Sequence, residues 1–361
     1  MMKRTTLNLL KSKLCLFVIL IFIVGCRKDP QIVIEADLVD ECGFECEDFP
    51  KSNSWFGYET YTSGPQYRTP KYNPTNDQEF IYVRTGETWG ISELVKVNLT
   101  DMSETILLNT LYIVSEPVWN AEGWIVFSEL NNKIWKIKED GSSLTQLTFG
   151  AWDSFPYFDF DGSIIYYNRT VMYSNAELEA NPELYKDSKI IGINLDGVPV
   201  DSILTSDIRN KPDQPFLYQL WDQANFNEER VYFFWAMEDN YGIYTLDLIS
   251  REIEIVDEWN KGQKNYQLVN NVKYHDGFVY ISKFRNDLLK INVYTGENTR
   301  MICGCDENFY NTMSLSPNGD KILVERIISK VLNDEEIDEQ HEIWMMDLDG
   351  GNAVKILGNP E

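Results

Sequence analysis

A short strand-like segment recurs six times along this chain, and the recurrence constrains the fold more than any other feature. The copies are Leu94–Leu99, Ile134–Glu139, Ile190–Leu195, Ile243–Leu248, Leu288–Val293 and Ile343–Leu348. Their second and fourth positions are apolar in all six copies, and the sixth position is apolar in five. The third and fifth positions are mostly polar or small. This period of two predicts a β-strand with one buried face; a helix cannot put residues two, four and six on one side.

Four copies run into a glycine turn: Asp140-Gly141, Asp196-Gly197, Thr295-Gly296 and Asp349-Gly350. Such pairs supply the positive φ angles of a tight hairpin. A further strand follows, as in Leu144–Thr148 and Ala353–Leu357. Upstream of each copy lies a second hairpin, clearest in Ser314–Val324, with counterparts in Pro117–Phe127, Pro156–Tyr166 and Tyr274–Tyr280. The counterparts in the first and fourth units, Asn73–Tyr82 and Phe226–Phe233, are irregular. Four strands in each repeat of about 40–55 residues predict an all-β fold, a six-bladed β-propeller of four-stranded antiparallel blades. One such sheet cannot bury both faces alone, and radial stacking buries them against neighbours while leaving only short edges.

The run Ser316-Pro317-Asn318-Gly319-Asp320-Lys321-Ile322, followed by Ile343-Trp344-Met345-Met346-Asp347-Leu348-Asp349-Gly350-Gly351-Asn352, resembles the repeats of TolB-like six-bladed propellers, which are similar to WD-repeat proteins. The resemblance covers roughly residues 68–358. It departs from TolB proper, which carries an α/β domain before its propeller and no lipid anchor. The resemblance therefore implies the fold, and not a role in the Tol system.

The N-terminus has the pattern of a bacterial lipoprotein signal. Lys3, Arg4, Lys11 and Lys13 precede eleven uninterrupted apolar residues, Leu14 to Val24, and the run ends at Gly25-Cys26. Such a run is shorter than the ~20 residues of a spanning helix and fits the core of a signal peptide. Gly25 before the thiol resembles a lipobox, which implies an acylated, palmitate-bearing Cys26 at the start of the mature chain. The expected organisation is a signal peptide (1–25), an acidic tether from Cys26 (26–66) and the propeller (67–361). Gln31–Ile34 is the one part of the tether with the composition of an edge strand. The expected location is the cell envelope, with the chain held on a membrane by its lipid.

The net charge is −25, and removal of residues 1–25 would make it −29. That surface repels nucleic acid and anionic headgroups, leaving the lipid anchor and an envelope protein or glycan as expected partners of a monomer. Of six cysteines, Cys42, Cys46, Cys303 and Cys305 remain once the signal and lipid positions are set aside. In an exported chain they are disulfide candidates, either as local pairs or as a staple from tether to body. Their spacing departs from the usual zinc pattern, and no metal or other cofactor is expected.

Strand order divides the two faces of a propeller. With strands A to D counted outward from the channel, the A–B and C–D turns are short and share one face. The B–C and D–A connections share the other, where the long insertions 169–188, 205–216, 257–271 and 329–340 gather. Insertions collected on one face mark it as the binding face. Residues that precede or open A strands at the channel mouth there, Arg68, Glu116, Trp152, Asp153, Tyr218, Asn271 and Asn311, are candidates to bind a ligand. Trp152 and Tyr218 could equally pack at blade junctions. The only histidines are His275, in an A–B turn, and His341, in a C strand, and both read as structural or solvated. Neither a hydrolase elbow nor a zincin motif occurs. The expected function is a lipid-anchored scaffold that binds protein or glycan; the alternative is a polysaccharide lyase or glycosidase working at the channel mouth.

Overall fold

The computed structural model describes residues 32–33, 59–61, 64–86, 91–150, 152–170, 189–203, 207, 219–223, 230–236, 240–260, 269–283, 287–303, 308–333 and 336–359. They form a six-bladed β-propeller. Two short strands precede it, β1 (Ile32–Val33) and β2 (Glu59–Tyr61). Blade 1 is β3 (Gln66–Asn73), β4 (Asn76–Thr85), β5 (Ile91–Asn98) and β6 (Ser103–Leu111). Blade 2 is β7 (Val118–Trp119), β8 (Trp124–Ser128), β9 (Ile134–Lys138) and β10 (Thr145–Gln146). Blade 3 is β11 (Trp152–Phe158), β12 (Ile164–Thr170), β13 (Lys189–Asn194) and β14 (Pro199–Ile203). Blade 4 is β15 (Gln219–Gln223), β16 (Arg230–Ala236), β17 (Asn240–Asp247) and β18 (Ile253–Asn260). Blade 5 is β19 (Val269–His275), β20 (Phe278–Lys283), β21 (Asp287–Asn292) and β22 (Asn298–Cys303). Blade 6 is β23 (Asn308–Leu315), β24 (Lys321–Asn333), β25 (Glu336–Asp347) and β26 (Val354–Leu357).

The recurrent segment is the C strand of each blade, and it differs from the expectation of one buried face. Position one (Leu94, Ile134, Ile190, Ile243, Leu288, Ile343) and position four (Val97, Ile137, Ile193, Leu246, Ile291, Met346) are both buried in every blade. In a flat strand these positions point to opposite faces. The reason is stacking: the apolar clusters lie between consecutive blades, so each sheet is packed on both sides. The fifth position carries the turn. Asn98, Asn194, Asp247 and Asn292 each accept backbone N–H bonds from their C–D turns through the side-chain oxygen. Short side chains of this kind mimic a backbone turn, so Asn and Asp recur there.

At the seam between blades 6 and 1, blade 1 is built of four consecutive strands, β3 to β6, and among the described residues no other strand enters it. Tyr72, Phe80, Tyr82, Val95 and Val97 pack against Leu323 and Ile343 across the seam. The Tyr72 amide donates to Ser314 Oγ (3.0 Å), and the His341 amide donates to Gln66 Oε1 (2.8 Å). The N-terminal segment joins the outer edges. β2 pairs in parallel with Glu336–Asp338 of β25, while β26 takes the other end of the same strand. β1 pairs in parallel with the first residues of β22, as the composition of Gln31–Ile34 suggests.

Candidate functional site

Five of the six A strands carry a bulge or register shift: between Arg68 and Lys71, Ser154 and Tyr157, Leu220 and Asp222, Val269 and Asn271, and Tyr310 and Met313. Bulges re-aim side chains and amides. In blades 1 and 3 the bulge holds a residue before proline at positive φ, Thr69 (49°) and Phe155 (53°), a conformation that side chains of this bulk rarely adopt. The result at blade 1 is specific: the Thr69 amide donates to Glu325 Oε2 at 3.1 Å.

Glu325 is the hub of the channel wall at the seam. Its Oε2 also accepts from Thr312 Oγ1 (2.7 Å) and Asn311 Nδ2 (3.2 Å), and its Oε1 lies 2.6 Å from His341 Nδ1 and 3.6 Å from Arg68 Nε. Burial alone would raise this carboxyl, but His341, Arg68 and Thr312 overcome it and hold the pKa at about 2. Burial likewise pulls the Arg68 guanidinium down, and Glu325 and the Tyr112 hydroxyl more than offset that. Glu325 was absent from the sequence candidates, although a signal was there. It shares a strand face with Leu323 and Ile327, and a charge on an apolar face needs a partner.

A second network crosses the channel. Glu116, at the start of blade 2, accepts from Lys273 Nζ (2.8 Å) and Asn271 Nδ2 (2.9 Å) of blade 5. These blades are three positions apart in a ring of six, so the pair bridges opposite walls. A third group sits in blade 3, where Arg169 grips buried Asp153 through Nε (2.7 Å) and Nη2 (2.9 Å) and also donates to Tyr167 Oη (2.9 Å). The structure therefore brings Arg68 with Asn311 and Glu116 with Asn271, and it ties Asp153 to its own blade. Tyr218 and the candidate cysteines Cys26, Cys42, Cys46 and Cys305 lie outside the described residues; Cys303 ends β22.

Each mouth of the channel has its own character. On the tight-turn face there is a cavity of about 250 Å³, lined by Lys71, Phe160, His275 and Asp276 among others, with Lys273 in its wall. Asp159 on its rim is raised to about 6, chiefly by burial and further by Asp161. Both Asp159 oxygens are nevertheless engaged in the turn, with the Ile164 amide (2.9 Å) and Ser163 Oγ (3.2 Å). On the long-connection face, large apolar side chains stand in solvent. Phe149, in the connection between blades 2 and 3, is 79% exposed, Trp152, the first residue of β11, is 47% exposed, and Leu130 in the adjoining B–C turn is 53% exposed. The two loops are fastened together: the Asp153 amide donates to Asn132 O (3.0 Å), and Lys133 Nζ donates to Gly150 O. Trp152 thus opens an A strand with about half of its surface exposed, whereas Phe149 and Leu130 fall outside any repeat pattern.

No protein-family model and no curated protein matches the sequence. Solved structures do resemble the fold. The β-propeller domain of the Trilobed protease from Pyrococcus furiosus, described as having an open velcro topology, superposes with a TM-score of 0.50 at 11% identity, over 82% of this chain and all of that one. An acylaminoacyl peptidase in complex with a chloromethyl ketone gives 0.50 at 11% identity, over 82% of this chain and 54% of its own length. TolB from Acinetobacter baumannii gives 0.47 at 13% identity, over 76% and 67%. At these identities the likeness concerns the propeller fold alone.

Proposed function

We propose that this chain is a lipid-anchored binding scaffold of the cell envelope, and that it engages a protein partner through the long-connection face of its propeller. The observation that carries the reading is the group Leu130, Phe149 and Trp152, three large exposed apolar side chains on the B–C turn of blade 2 and on the connection into β11, two segments fastened to each other. Exposed aromatics on a rigid base supply contact area at low entropic cost and serve as interface anchors. The surrounding polar groups, Asp153, Arg169 and Lys133, are already engaged within the chain, which suits a protein surface better than a sugar needing many free donors and acceptors. The anchor rests on the basic segment, the apolar run and Gly25-Cys26.

Catalysis has less support. A glycosidase or lyase needs carboxylates free to exchange protons. The channel carboxylates Glu116 and Glu325, and Asp153 and Asp159 in blade 3, each hold hydrogen bonds within the fold.

Photo-crosslinking from position 149 in intact cells tests the reading. A discrete protein adduct is expected, and Trp152→Ala should abolish it without changing the melting temperature. Adduct formation that survives both Trp152→Ala and Leu130→Asp, or a glycan array that binds the chain through these residues, would overturn it.

A further inference from the structure

The parallel pairing of β1 with β22 fixes more than the edge of blade 5. β22 begins just after the C–D turn, and its first residue, Asn298, is the partner of Ile32. Because the strands are parallel, β1 begins at the tight-turn end of blade 5. Cys26 lies six residues earlier, which limits its distance from Ile32 to about 20 Å of extended chain. We infer that the tight-turn face, and in particular the C–D turns of blades 4 and 5, rests on the membrane surface, so that the propeller presents its long-connection face away from the bilayer. The inference rests on the lipid-anchor reading and adds an orientation to it.

A second observation places a lipid surface there. The C–D turn that leads into β22 exposes Tyr294 (81%), and the C–D turn of the neighbouring blade 4 exposes Ile249 (74%), both among the most exposed large apolar side chains described. Tyr294 lies four residues before Asn298, in the turn that β1 enters beside, and its ring lies against Gly277, where an added Cβ would come within 2.9 Å of Cε2. An aliphatic and a tyrosine at neighbouring turn tips suit the interfacial layer, where an amphipathic ring keeps its hydroxyl in water. The acidic surface gives this face no pull toward anionic headgroups, so its match is a zwitterionic phospholipid interface reached through the tether.

The orientation is measurable on the full lipidated chain in phosphatidylcholine vesicles. A fluorophore is attached through a single unnatural residue at position 294 or 249, or at position 149 on the opposite face, and quenched by bromine-labelled lipid. Quenching at 294 and 249 is expected to exceed that at 149 by at least threefold. Equal quenching, or stronger quenching at 149, with Cys26 shown by mass to be acylated, overturns the orientation and leaves the anchor standing. An unmodified Cys26 in the mature protein overturns the anchor and this inference with it.

Discussion

Lys273 and Glu116, 157 positions apart, meet at 2.8 Å across the central channel. The lysine side chain is 2% exposed and the glutamate 15%, so the pair is withdrawn from water on the lysine side. A buried pair of this kind adds little over an apolar replacement of both partners, because desolvation offsets the attraction. Removing one partner is different, since it strands the other charge. Lys273→Met is expected to cost about 3 kcal/mol, and Lys273→Met with Glu116→Leu to recover most of it. Denaturant midpoints of the two variants check this; equal losses would show that the lysine acts through packing alone.

Glu325 makes the seam between blades 6 and 1 sensitive to acid. Its pKa falls from the ordinary 4.5 to about 2 in the folded chain, so the folded state favours the ionised form. The contribution is therefore complete above about pH 4.5 and is lost as pH falls toward 2; the shift bounds it at about 3 kcal/mol. Glu325→Gln should lower stability at pH 6 and flatten the decline between pH 4.5 and 2. Denaturant midpoints at pH 6, 4 and 3 compare the slopes. Parallel slopes in the two proteins would remove Glu325 from the account.

How much of this was legible in the sequence follows from what each residue does. The C strands were readable because one local rule, apolar positions closed by an Asx or glycine turn, repeats six times. Stacking added what period two could not show, that position one is buried as fully as position four. The candidate residues at A-strand starts were located by strand order alone. Their partners were not, because the Glu116–Lys273 contact depends on opposite blades meeting and Thr69 reaches Glu325 only through a bulge. Phe149 and Leu130 lie in connections that obey no repeat, and exposure is a property of the assembled surface.

Gly319 closes the A–B turn of blade 6 with φ of +70°, and a Cβ built there would lie 1.8 Å from His275 Nε2 of blade 5. Two penalties would coincide in Gly319→Ala. The left-handed conformation costs about 1–2 kcal/mol for an L-residue, and the histidine must also move. His275→Ala in the same chain should recover the steric part and leave the conformational part. Thermal melts of the single and double variants separate the two. Full recovery in the double variant would show that strain at φ contributes nothing.

The direction of β1 also bears on the cysteines. The strand runs alongside and parallel to β22, which ends at Cys303, and in the sequence Cys42 follows Val33 by nine residues. Nine residues reach about 30 Å when extended, ample for a chain already held against the same strand. We therefore expect non-reducing peptide mapping of the exported protein to join Cys42 and Cys46 to Cys303 and Cys305. The first such link would close a loop of more than 250 residues and, on the loop-entropy account, stabilise the fold by about 5–6 kcal/mol before strain, and the second, closing only a few further residues, would add much less. Reduction should then lower the melting temperature and free the tether to proteolysis between residues 34 and 58. Finding only Cys42–Cys46 and Cys303–Cys305 links would show that backbone pairing alone holds the tether to blade 5.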